Sequence, residues 1–274
     1  MASSTQPPGR GDARVAAVLT WIFPGAGHVY LGAPLFGIAA FLVVTGLYLL
    51  GIRLSDGMAF EFLQPDLRSA AAPALTPEVG NLSAVLWHMN TYGFGLAFPR
   101  PWPAHIDLGT FLTAFSGVLN ACLVCKAHFD ARVPQGMRST RPSPGLLVLA
   151  GWIVPGAGHW LQGRRLRAVL VFVVVAGFVG LGTWLADGAN LDRERHFYYW
   201  SGQFLAGAPA WILEFFHGHA LVRGELRYGD AGLAFAGVGG LLNILAWLDV
   251  YGVAEREGLE RLAPVPAPVR EVAA

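Results

Sequence analysis

One run of residues occurs twice and limits everything else this chain can be. Residues 21–32 read WIFPGAGHVYLG and residues 152–163 read WIVPGAGHWLQG. The identical positions are Trp21/Trp152, Ile22/Ile153, Pro24/Pro155, Gly25/Gly156, Ala26/Ala157, Gly27/Gly158, His28/His159 and Gly32/Gly163. The same offset pairs Gly46 with Gly177, Gly51 with Gly182, and Asp56-Gly57 with Asp187-Gly188. A second block, at 107–131, matches 230–254 at a slightly different offset. It shares Asp107/Asp230, Gly109/Gly232, Gly117/Gly240, Leu119/Leu242 and Asn120/Asn243. Identities that keep their order in this way mark a tandem duplication of one unit. The duplication is also an internal control. A residue kept in both copies belongs to the unit, whereas a residue found in one copy is incidental or specialised.

The repeated run predicts a broken helix. Only a short apolar stretch precedes Pro24 and Pro155. Proline removes an amide and clashes with the preceding turn. Gly25 and Gly27, like Gly156 and Gly158, then open conformations closed to other residues. A signal peptide is excluded for the first apolar stretch, because its near-copy lies mid-chain.

Composition supplies the medium. Hydrophobic residues make up 54% and charged residues 14% of the 274, against about 25% charged in an ordinary soluble domain. With 19 Lys+Arg against 18 Asp+Glu, no net charge recruits a polyanion, so nucleic acid is not an expected partner. Each copy carries four apolar segments, at about 15–31, 35–52, 79–98 and 108–125, then 145–162, 166–186, 197–216 and 231–248. The second and fourth of each are long enough to span a bilayer. The third segment of copy two carries a Gly207-Ala208-Pro209 interruption and Glu214. Broken backbone at membrane depth is tolerated only inside protein or beside water.

Lys126, Arg132, Arg138 and Arg141 against Asp130 place the linker on the cytoplasmic side, with Arg10 and Arg14. Each copy then crosses an even number of times, two or four. Two crossings make the motif a re-entrant hairpin and keep Arg164, Arg165 and Arg167 inside. Both termini are then expected on the cytoplasmic side.

Pro24 to Gly32, Pro-Gly-Ala-Gly-His-x-Tyr-x-Gly, resembles the signature of a bacterial multi-pass membrane family of unknown function. That family is distantly similar to the two-transmembrane-helix domain, whose helix pair surrounds a Gly-rich turn containing His and Tyr. Gly-Leu-Leu-Asn at 240–243, followed by Asp249, resembles the family's closing helix. The resemblance covers both copies, implies a bacterial inner (cytoplasmic) membrane as the expected location, and implies no activity. Copy two departs from it, with Leu161 and Gln162 in place of Tyr30 and Leu31, and copy one has Lys126 opposite Asp249.

His28 and His159 lead the candidate residues. Either they cap the break as polar glue, or they lie on an ion or ligand path, since ionisable groups at membrane depth mark such paths. Asn120 and Asn243 recur in both copies, as interhelical hydrogen-bonding groups or as a shared polar lining. Glu214, His217 and His219 form E-x-x-H-x-H, a weak metal-ligand spacing. The positions opposite them are Thr91, Phe94 and Leu96. Cys122-x-x-Cys125, facing Leu245 and Leu248, reads as packing. Asp56 and Asp187 read as Asp-Gly turns, and Trp21 and Trp152 as packing anchors for the half-helices. The phosphate-loop tail, Gly-x-Ser-x-Gly and a paired carboxylate are missing.

The expected fold is all-α and integral to a membrane, a tandem duplication of a helical unit with a Pro-Gly-broken helix in each copy. Its parts are a disordered tail at 1–14, repeat 1 at 15–131, a linker at 132–144, repeat 2 at 145–254 and a tail at 255–274. The expected function is a non-enzymatic scaffold or accessory protein binding membrane lipids or other membrane helices, with no cofactor. The alternatives are a small transporter or channel at the paired breaks, and an intramembrane metal-dependent enzyme.

Overall fold

The computed structural model describes residues 11–63, 68–69, 71–94, 101–133, 142–217 and 226–261. Among these there are helices and turns and no strands. The expected tails and linker therefore lie largely outside the described residues.

Each copy opens with a helix snapped at the proline. In copy one, α1 (Ala13–Ile22) ends in extended backbone at Phe23, and α2 (Ala26–Tyr30) follows. In copy two, α6 (Pro144–Ile153) ends the same way at Val154, and α7 (Ala157–Leu161) follows. Gly25 and Gly156 sit between the pieces with φ of +79° and +85°. A Cβ at Gly25 would lie 2.1 Å from the Gly37 carbonyl oxygen, and one at Gly156 2.1 Å from that of Ala168. These glycines are therefore required twice over, for a left-handed backbone and for contact with the next helix. After the break the chain doubles back. Gly27 lies against the Ala16 carbonyl, and the Tyr30 hydroxyl accepts from Asp12 N at 3.1 Å.

The next helices are long. They are α3 (Pro34–Ser55) and α5 (Ile106–Arg132) in copy one, and α8 (Arg165–Leu185) and α11 (Gly229–Glu260) in copy two. All four are long and apolar enough to cross a membrane. In each copy the two pack closely together, α3 on α5 and α8 on α11. Their crossing points repeat: Gly51 meets Gly109, and Gly182 meets Gly232, backbone to backbone. Small residues that let backbones approach are how apolar helices associate without a hydrophobic drive. Outward faces stay apolar, as at Leu35, Leu42, Leu166 and Val173, which is more apolar exposure than a water-soluble monomer tolerates.

Between the long helices lie the third segments, and they are made of short pieces. In copy one these are 3₁₀ turns at Ala72–Leu75 and Pro77–Gly80, then α4 (Leu82–Thr91). In copy two they are α9 (Arg193–Phe204) and α10 (Ala208–His217), separated at Gly207 with φ +72°. The Gly207-Ala208-Pro209 interruption is thus a real break. The Asp-Gly turns also form as read: Asp56 and Asp187 are left-handed at φ 50° and 48°, each followed by a left-handed glycine.

The copies meet along an aromatic core. Phe111 and Phe115 of α5 pack with Trp152, Phe204 and Trp211 of copy two. Helix α6 leans on α5 as well as on α11, while α1 rests chiefly on α5.

Candidate functional site

The recurring Trp and Asn side chains converge on backbone. At the end of the Pro77–Gly80 turn, Trp21 Nε1 donates to the Val79 carbonyl at 2.8 Å, and Asn120 Nδ2 donates to the Gly80 carbonyl at 2.8 Å. At the end of α9, Trp152 Nε1 donates to the Phe204 carbonyl at 3.3 Å, and Asn243 Nδ2 to the Leu205 carbonyl at 2.9 Å. In both copies Trp takes one carbonyl and Asn takes the next. The last carbonyls of a helical turn have no intrahelical donor, and this pair of side chains supplies two. Asn120 also donates to the Thr20 carbonyl at 2.8 Å, at the end of α1. Thr20 Oγ1 in turn accepts from Gly27 N at 3.1 Å and donates to the Ala16 carbonyl at 2.9 Å. One indole and one amide thus tie the snapped helix, the long helix and the third segment together.

The two histidines occupy separate surroundings. His28 is buried in α2, with its ring 4.7 Å from that of Phe36. His159 is buried in α7, and its Nε2 lies 3.1 Å from Asp249 Oδ2. Burial draws the pKa of His159 below the usual imidazole range, while Asp249 pulls it back up. Asp249 also pairs with Arg164 and, at 3.4 Å, with Arg167. Arg164 donates to Gln162 Oε1, and Gln162 donates to the Val250 carbonyl. In copy one the corresponding region is built differently. Lys126 lies 5.1 Å from the centre of the Phe36 ring and pairs with Asp130 at 2.5 Å.

The metal-like triad is not gathered in one place. Glu214 pairs with Arg193, accepting from its Nε at 2.9 Å, and accepts from Trp200 Nε1 at 3.2 Å. Arg193 also donates to the Asp107 carbonyl of copy one at 2.7 Å. The His217 ring packs over Gly188, where an added Cβ would lie 2.4 Å from it. Tyr92 covers Gly57 in the same way in copy one. His219 lies outside the described residues. Among the described residues no group of three His, Cys, Asp or Glu could hold a metal ion. Cys122 is buried, Cys125 is half-buried, and both are unbridged.

Three buried groups had no sequence signal. Glu78, fully buried, accepts from Thr113 Oγ1 at 2.9 Å. Gln203 takes the corresponding place beside the Phe204 carbonyl, and is held by Asn190 at 2.7 and 2.9 Å. His88, also buried, donates from Nε2 to the Gly57 carbonyl at 3.1 Å, leaving Nδ1 to accept from the Tyr48 hydroxyl at 3.1 Å. Burial pushes the His88 pKa down to about 4, the bond to Gly57 opposing it.

Comparison with known proteins adds one finding. The model of a family described as a family of unknown function (DUF6677) matches residues 15–139 and 146–261. No curated protein and no solved structure matches the chain.

Proposed function

This chain belongs to the DUF6677 family of unknown function, and from that premise we propose that it is a non-enzymatic membrane scaffold. Its work is to hold lipids or the helices of a partner against two fused helical units. The observation that carries the reading is the paired Trp and Asn clamp. In both copies the recurring Trp and Asn side chains are spent on backbone carbonyls. A transport path needs polar groups directed at a solute, and a clamp directs them at the fold. The distinct settings of His28 and His159 argue the same way, since a shared path would bring both onto one cavity.

In this reading the four long helices span a bacterial inner membrane. The snapped helices enter from the cytoplasmic side and return to it. The return of Tyr30 to Asp12 supports that course, as do the arginines 164, 165 and 167 beside the turn. Both termini and the linker then face the cytoplasm.

The test compares flux with folding. Full-length protein and a His28→Ala/His159→Ala variant are reconstituted into vesicles loaded with a pH-sensitive dye, and a proton gradient is imposed. Scaffolding predicts equal, background-level signals and a lowered melting temperature for the variant. A flux present in the wild type and lost in a variant that melts normally overturns the reading in favour of a transporter. Topology is read separately, by labelling a cysteine at position 164 in a chain with Cys122 and Cys125 replaced by alanine. Labelling from outside overturns the re-entrant course.

A further inference from the structure

Beside the break in copy two lies an apolar groove on the flank of the molecule. It encloses about 370 Å³. Pro155, Ala157 and Trp160 line it from the broken helix, and Ala168, Val169 and Phe172 from α8. No charged side chain lines it. Trp160, Val169 and Phe172 are all exposed, so the groove is open from the side.

Positive charge stands at its rim. The Arg165 guanidinium lies over the Trp160 ring, 5.6 Å from its centre. Arg165 is exposed and, among the described residues, pairs with no acid. Arg164 and Arg167 both turn to Asp249, Arg167 only at 3.4 Å and with 62% of its side chain exposed. Three guanidinium groups thus share one carboxylate, and the turn keeps an accessible excess of positive charge. Copy one supplies the contrast. At the offset of the repeat, Ala33, Pro34 and Phe36 stand opposite Arg164, Arg165 and Arg167, and Val29 opposite Trp160. Copy one makes the same break without them, so the break does not require arginine there.

We propose that copy two seats one anionic phospholipid at this groove, with an acyl chain in the groove and the phosphate accepting from Arg165 and Arg167. An apolar slot that ends in incompletely neutralised guanidinium groups matches both halves of such a lipid. Arginines at a membrane surface attract anionic headgroups, the guanidinium fork suits phosphate oxygens, and tryptophan favours headgroup depth. A neutral lipid leaves the arginines unanswered, and free phosphate leaves the groove unfilled. A partner helix, about 10 Å across, is too broad for a slot bounded by the five residues of α7 and the first turns of α8. The inference rests on the membrane-scaffold reading above and gives that scaffold a lipid class. It also assigns the lipid to one copy rather than to both.

The experiment uses the full chain, purified in mild detergent and titrated with phosphatidylglycerol or phosphatidylcholine, bound lipids being counted by native mass spectrometry. The wild type is expected to hold one phosphatidylglycerol per chain, several-fold more tightly than phosphatidylcholine. Arg165→Gln/Arg167→Gln is expected to lose that preference while melting as the wild type does. Val169→Trp fills the groove from an exposed position and is expected to weaken retention several-fold with every arginine in place. Asp249→Asn releases Arg167 and is expected to strengthen it. Inorganic phosphate is expected not to displace the lipid. Equal affinity of the wild type for the two lipids overturns the site. So does an unchanged preference in the double variant, unchanged retention by Val169→Trp, displacement by inorganic phosphate, or a co-purifying protein in the lipid's place. Should the double variant melt low, Val169→Trp and Asp249→Asn decide by the same readout, and the absence of either change overturns the site. Membrane residence is scored separately, by resistance of the wild type to alkaline carbonate extraction. A wild type that resists extraction but shows no lipid preference overturns the lipid site and leaves the scaffold reading standing. A wild type released by carbonate overturns both.

Discussion

The two copies agree where backbone must be held and differ where charge is placed. Gly25 and Gly156, Gly51 and Gly182, and Trp21 and Trp152 make the same contacts in each, and Asn120 and Asn243 share the bond to the third segment. Past the break they part. Copy two gathers His159, Arg164 and Arg167 on Asp249. Copy one sets His28 against Phe36, with Lys126 over the same ring. The lesson is a division between what the unit needs in order to fold and what one copy acquired later. A histidine repeated in both copies is not by itself a repeated function, because its partners have changed.

The shared set predicts the largest effect. Gly25→Val and Gly156→Val each force a side chain into a left-handed backbone and onto a carbonyl 2.1 Å from the new Cβ. Strain of that kind, added to overpacking, costs several kcal/mol, roughly 3 or more. Both variants are expected to abolish the monodisperse peak in detergent chromatography. If one folds normally, the breaks are not equivalent and the comparison fails at its base.

The next effect belongs to copy one alone. His88, which lies outside the four long helices, titrates at about 4, against about 6.5 for an ordinary imidazole. On acidification the unfolded chain takes up that proton first. Between pH 6.5 and 4 the unfolded state therefore binds more protons, and stability falls as pH falls. The contribution is complete above about pH 6.5, and on the order of 2 kcal/mol of it is gone by pH 5. His88→Leu is expected to melt lower at pH 7, since it strands the Tyr48 hydroxyl and the Gly57 carbonyl, yet to lose less than the wild type between pH 7 and 5. Melting curves at the two pH values decide it. An unchanged slope would remove His88 as its source.

Much of this was legible before any coordinate. The duplication, the snapped helix, the Asp-Gly turns and the four long helices follow from spacing, proline, glycine and the length of apolar runs. The clamp was half legible. Trp21, Trp152, Asn120 and Asn243 stand out because they recur, but what they bind is backbone, and every residue has a carbonyl, so Val79, Gly80, Phe204 and Leu205 give no signal. The third segments hid the rest. Their chemistry diverged, with Glu78 against Gln203 and Tyr92 against His217, and only the shared contacts to the clamp and to Gly57 and Gly188 reveal the correspondence. Glu214 looked like a ligand because its spacing to His217 is helical. Its use by Arg193 depends on a residue a full helix away.

The clamp itself distinguishes the copies by degree. Asn120 serves the carbonyls of both Thr20 and Gly80, and Asn243 that of Leu205. Asn120→Leu is therefore expected to cost more, roughly 1–2 kcal/mol, and Asn243→Leu about half that. Melting temperatures in one detergent rank them. Equal losses would mean that the extra bond to α1 carries no weight.

The smallest effect on stability tests the acquired set. Asp249 is 39% exposed at its side chain, and partly exposed ion pairs contribute about 1 kcal/mol or less. Copy one folds with Lys126 at the corresponding place, so the unit does not require an acid there. Asp249→Asn keeps an acceptor for Arg164 and removes the charge that His159, Arg164 and Arg167 share. The expected shift in melting temperature is below about 3 °C. The fold stays intact while three cationic or protonatable groups lose their common counter-charge. Retention of anionic lipid or of a co-purifying partner should then change while the melting temperature holds. If Asp249→Asn melts as low as the Asn120 variant, the cluster is part of the frame, and the division between shared structure and acquired charge is wrong at that residue.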